Sequence, residues 1–149
     1  MSISQSYGHL VVFLLAISSV NANAVELITA NEAQLPAASG ALNTRGISRG
    51  PGVKIVSPDP TAAEIKSPFD LKINFESRGG KKIDPSAVRL TYLKLNSIDL
   101  TPRVSSAITE SGIDLAKAEV PPGAHALKIS VKDVDGRETN AILNLNVTK

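Results

Sequence analysis

Phe69-Asp70-Leu71-Lys72-Ile73-Asn74-Phe75-Glu76 is apolar at every odd position and polar at every even one. A period of two puts successive side chains on opposite faces of a strand, so this octapeptide predicts one face in a core and one in water. A helix would need apolar residues at spacings of three as well as four, and no two apolar residues of the stretch are three apart. The same alternation spreads outward. Upstream, Val53 and Ile55 begin it and Ser57-Pro58-Asp59-Pro60 stops it. Downstream, Val88, Leu90 and Tyr92 alternate with Arg89 and Thr91, and Ile98 and Leu100 flank Asp99. Pro102 then ends the run and reads as a guard that blunts an edge strand against pairing with other chains. Ile113 and Leu115, followed by Ala118 and Val120, predict a strand interrupted by a bulge. Leu127, Ile129 and Val131 form the next alternating set, and Ala141, Leu143, Leu145 and Val147 the last.

The breaks between these runs are turn chemistry. Arg78-Gly79-Gly80-Lys81-Lys82 offers the left-handed positions of a tight loop, and Asp84-Pro85-Ser86 starts a turn with Pro fixing φ. Pro121-Pro122-Gly123 ends one strand. Asp135-Gly136 is a strong hairpin signal and joins the last two strands. Seven to eight short strands over about a hundred residues, with turns at this spacing, predict an all-β antiparallel sandwich.

The first 52 residues read differently. Val11-Val12-Phe13-Leu14-Leu15-Ala16-Ile17-Ser18-Ser19-Val20 is an uncharged apolar run, and Ala22 and Ala24 supply small residues where a signal peptidase looks. Residues 1–24 are therefore expected to be a secretory signal, which makes the protein exported, either periplasmic or secreted. The apolar run is shorter than the roughly 20 residues a membrane-spanning helix needs. Residues 25–52 are rich in Gly, Pro, Ser and Ala and carry no period, so they are expected to form a flexible leader. The sandwich domain is then expected over residues 53–149.

Composition removes several functions. The 149 residues contain no Cys and no Trp, so there is no thiol nucleophile, no disulfide and no Cys-based metal site. Aromatic residues make up only 3%, too few for a platform that stacks sugars or single-stranded nucleic acid. The 16 basic and 14 acidic side chains leave a formal charge of +2, which is no nucleic-acid footprint.

The stretch Val120-Pro121-Pro122-Gly123-Ala124-His125-Ala126-Leu127-Lys128-Ile129-Ser130-Val131-Lys132-Asp133-Val134-Asp135-Gly136-Arg137 resembles the penultimate strand and hairpin of bacterial Ig-like modules. Those modules commonly read Gly, one residue, an aromatic, three alternating apolar positions, then Asp and a Gly turn. Asp84-Pro85-Ser86-Ala87-Val88-Arg89-Leu90 resembles the entry to their third strand, and Ser57-Pro58 and Ser67-Pro68-Phe69 their first-strand break. The resemblance implies an Ig-like β-sandwich over about residues 53–148. It departs from the pattern where His125 stands in the place of Tyr, and the antibody-type Cys pair and core Trp are absent.

Three places carry polar chemistry. His125 is the one imidazole after the signal, and its position at a strand start beside Pro-Pro-Gly points to a structural corner rather than to catalysis. Asp133 and Asp135 with Gly136 resemble part of a calcium loop without the Glu an EF-hand requires, and carboxylates at a hairpin also satisfy turn amides. Arg78, Lys81 and Lys82 around Gly79 and Gly80 could hold an anion, although a solvated loop is the plainer reading. Asn146-Val147-Thr148 matches a glycosylation acceptor but lies inside an alternating strand. The sequence implies no enzyme and no cofactor. It implies a module binding a protein or cell-envelope component, with a small-ligand or ion (calcium or anion) binding protein as the alternative.

Overall fold

The structure, a computed structural model, describes residues 23–40 and 48–149. The signal expected over residues 1–24 lies outside the described residues except for its last two. Among the described residues ten strands follow one another: β1 (Val25–Glu26), β2 (Gly52–Ser57), β3 (Ile65–Lys66), β4 (Phe69–Glu76), β5 (Arg89–Tyr92), β6 (Ile98–Asp99), β7 (Ile108–Thr109), β8 (Gly112–Glu119), β9 (Gly123–Lys132) and β10 (Glu138–Thr148). They form two five-stranded sheets. In one the order is β1-β8-β4-β2, with β7 also on β8; in the other it is β3-β10-β9-β5-β6.

The alternation decides which face is inside. Leu71, Ile73 and Phe75 of β4 are buried while Asp70, Lys72, Asn74 and Glu76 are exposed. Leu90 and Tyr92, then Leu127, Ile129 and Val131, then Leu143, Leu145 and Val147 bring the second sheet's inner face against it. Burying each such aliphatic side chain stabilises the fold by about 1.5–3 kcal/mol. The expected bulge is in β8, where Ala118 pairs with Phe69 but Leu115 pairs with Leu71, leaving one extra residue on β8. Asp70 accepts the N–H of Lys117 there at 3.0 Å.

Two connections shape the molecule. β9 and β10 form a long hairpin in continuous register from Gly123↔Val147 to Lys132↔Glu138. Between β2 and β3 the chain changes sheets: β2 pairs antiparallel with β4, whereas β3 pairs parallel with β10. Pro58 and Pro60 stand at this crossing, where a missing N–H costs no ladder bond.

Two expectations need correcting. Pro102 does not simply stop a strand; it opens a short helix, Thr101–Val104, whose Val104 is fully buried. The leader is not a spacer over residues 25–38. Val25 and Glu26 pair in parallel with Ala118 and Glu119, and Leu27 and Ile28 are completely buried. A second short helix follows, Ala30–Ala33, with Thr29 and Glu32 as a reciprocal capping box. Farther on, the hydroxyl of Ser48 donates to the carbonyl of Glu138 at 2.9 Å, so the approach to β2 is also docked. Residues 25–38 form an N-terminal strap across one end of the sandwich. Residues 41–47 lie outside the described residues.

Candidate functional site

His125 is the register partner of Leu145 and points inward from the start of β9, 6% exposed. Its Nε2 lies 2.8 Å from the carbonyl of Pro121, and its Nδ1 lies 2.8 Å from the hydroxyl of Tyr92. A carbonyl only accepts, so Nε2 carries the hydrogen and Nδ1 accepts from the Tyr92 O–H. The imidazole thus ties its strand back to the turn four residues upstream. Burial holds its pKa below the ordinary 6.5, the Pro121 carbonyl opposes this, and the charge of Lys94 adds to it. Both ring nitrogens are engaged, one by the Tyr92 phenol and one by a backbone carbonyl.

Lys94 is the member of this cluster that sequence reasoning missed. It continues the inward register of Leu90 and Tyr92, and a Lys at a core position was the available signal. It is 8% exposed. Its Nζ donates to the carbonyls of Ala33 and Leu35, each at 2.9 Å, and stands 5.0 Å from the centre of the Tyr92 ring. Bonding to ionised donors satisfies the carbonyls at the end of the strap's helix, and the ring face favours the cation. The backbone of Lys94 also bridges to Ala37, and Leu95 N–H donates to Pro36 O at 2.9 Å.

The clasp borders a trough of about 410 Å³ on the outer face of the second sheet. Ala124 and Ala126 of β9 and Asn144 and Asn146 of β10 form its floor, since their buried odd-numbered neighbours face the core. Ala37 and Ala38 of the strap wall one side and Pro60 and Ala62 wall the other. The Asn146 amide donates to Ala63 O at 3.0 Å and fastens that second wall. Leu35 and Leu95, 43% and 60% exposed, lie on the strap and on the turn to which it is bonded. Among the described residues Lys94 is the one charged side chain lining the trough, and its ammonium is bonded to the protein. The surface therefore suits an uncharged ligand segment with hydrogen-bonding groups for Asn144.

The two charged candidates lie side by side and are partly paired with each other. Gly79 and Gly80 adopt φ of 63° and 69°, as the tight loop requires. Arg78 donates to Ser48 O at 3.1 Å, and Lys81 pairs with Asp135 at 3.3 Å. Asp133 accepts the N–H groups of Asp135 and Arg137 at one oxygen and the Arg137 guanidinium at the other. Burial alone would raise the Asp133 carboxyl, but these N–H groups and the Arg137 charge hold it below 3.8. Lys82 contributes its carbonyl, which accepts from Val134 N–H. Among the described residues no three His, Asp or Glu side chains are grouped as metal ligands, and no helix is long and apolar enough to cross a membrane. No known protein family, no curated protein and no solved structure matches the chain.

Proposed function

We propose that the protein is an exported, non-enzymatic Ig-like module that binds a protein or cell-envelope component through the trough on its second sheet. The observation that carries this reading is the trough itself: a small-residue floor between two fastened walls, with its buried cation and imidazole committed to internal bonds. The strand order supports the Ig-like assignment. In constant-type immunoglobulin domains, strands A, B and E share one sheet and C, F and G the other. Here β2, β4 and β8 occupy the first set of places and β5, β9 and β10 the second. Export to the periplasm or beyond rests on the signal-like residues 1–24. The volume also lies within the range of small-ligand sites, which keeps a ligand carrier as the second reading.

A photo-crosslinking residue at Asn144, in the trough, and another at Asn74, exposed on the opposite sheet, separate these possibilities in the native envelope. The binding-module reading expects one reproducible macromolecular adduct from position 144 and none from position 74. Identical adducts from both, or none from either, would defeat it.

A further inference from the structure

The strap is held in two places by two different cations. Near its start, Arg103 donates to Leu27 O and grips Glu32 with both guanidinium arms. Near its end, Lys94 holds the carbonyls of Ala33 and Leu35, its own backbone bridges to Ala37, and the next N–H, of Leu95, donates to Pro36 O. The second attachment is coupled to His125 through Tyr92, whose hydroxyl bonds the imidazole and whose ring lies 5.0 Å from the Lys94 ammonium. Ring centroids of Tyr92 and His125 are 5.7 Å apart.

That arrangement depends on a bare Nδ1. Neutral His125 accepts the Tyr92 O–H, while Nε2–H serves Pro121. A proton taken from solvent onto Nδ1 turns the acceptor into a donor, so the Tyr92 hydroxyl must rotate its hydrogen away and accept instead. The same proton puts a second positive charge into a site from which water is nearly excluded and where charges interact strongly. The groups packed around the imidazole are Tyr92 from β5, Lys94 from the turn after it, Leu145 from β10 and the Pro121 carbonyl. Ala37 and Ala38 from the strap and Pro60 and Ala62 from the opposite wall bring no charge. Lys94 is therefore the charge that the new proton meets, and among the described residues nothing in the trough lining is anionic.

We infer that the Tyr92–His125–Lys94 clasp is a proton-operated latch. Protonation of His125 drives Lys94 off the carbonyls of Ala33 and Leu35, and residues 33–38 lift from the sheet edge and open one wall of the trough. The Arg103 attachment does not respond, because Glu32 stays ionised until far more acidic conditions, its carboxyl being held to about 2. The latch thus frees the end of the strap and leaves Leu27 and Ile28 in the core.

Amide hydrogen exchange on the purified exported protein, run with an NMR titration of the His125 ring, reads this directly. The Leu95 N–H reports the Pro36 contact, and the Leu27 N–H, which donates to Glu119 O, reports the start of the strap. After correction for intrinsic exchange, Leu95 protection is expected to fall about tenfold or more as pH is lowered from about 7 to about 4, in step with His125, while Leu27 protection holds. Lys94→Met should be loose at Leu95 already at neutral pH and show no step. His125→Gln should remove the step. The inference is overturned if Leu95 protection stays constant while His125 titrates, if His125 remains neutral down to about pH 4, or if the step survives in His125→Gln. The wild-type titration decides the matter even where a variant fails to fold.

Discussion

Replacing Glu32 with Gln tests the strap by removing one charge and little else. The carboxylate receives Arg103 Nη1 at 2.8 Å and Nη2 at 2.6 Å and accepts the Thr29 N–H at 2.9 Å. The Arg103 guanidinium brings its pKa from 4.5 to about 2; burial opposes the fall and the Thr29 bonds assist it. At about 1.4 kcal/mol per tenfold in proton affinity, this corresponds to an upper value of about 3 kcal/mol. The pair is partly wet, with Glu32 18% and Arg103 30% exposed. Solvent screening reduces the expectation to about 2 kcal/mol. Gln at the third helical position can still complete the capping box, so the loss isolates the charge. The folded pKa lies below the unfolded one, so the contribution is complete above about pH 4.5 and disappears as pH falls toward about 2. Urea unfolding should find Glu32→Gln less stable by about 2 kcal/mol at neutral pH, with the two proteins converging near pH 2. A neutral-pH difference below about 0.5 kcal/mol, or one that does not change with pH, would refute the reasoning.

Two other outcomes follow from the geometry. At Gly112 the backbone has φ of +150°, and a Cβ would lie 1.9 Å from the carbonyl oxygen of Ile73. Gly112→Ala should therefore cost more than about 3 kcal/mol or prevent folding, and an unchanged urea midpoint would contradict the close approach of β8 to β4. Because Asp133, Asp135, Lys81 and Arg137 neutralise one another, millimolar calcium or phosphate should leave the melting temperature unchanged. A rise of several degrees with either would restore that corner as a ligand site.

What the sequence made legible was whatever repeats locally. The eight residues of β4 show their period without help, the bulge in β8 is visible as a slip in apolar spacing, and Asp135-Gly136 announces the last hairpin. β1, β3 and β7 are two residues long, and no period exists in two residues. The strap escaped detection for a different reason. Its apolar content is mainly the pair Leu27-Ile28, and its anchors are remote: Arg103 lies 71 positions from Glu32 and Lys94 lies 59 from Leu35. Composition reports whether a segment can fold by itself, not whether a finished surface will take it up. The trough shares this limit, since its walls come from Ala37 and Ala62 and its floor from β9 and β10. His125 could be placed at a corner from its neighbours alone, but Tyr92, 33 positions away, gives it a partner that only the fold brings near.

The central claim is that the strap is part of the folded sandwich and thereby walls the trough. Native-state hydrogen exchange at the Leu27 amide, which donates to Glu119 O at 2.9 Å, measures this most directly. At neutral pH the Leu27 amide should be protected to the level of β9 amides such as Leu127, exchanging only through global unfolding. Exchange at the rate of an unstructured chain, beside a protected β9, would contradict the account.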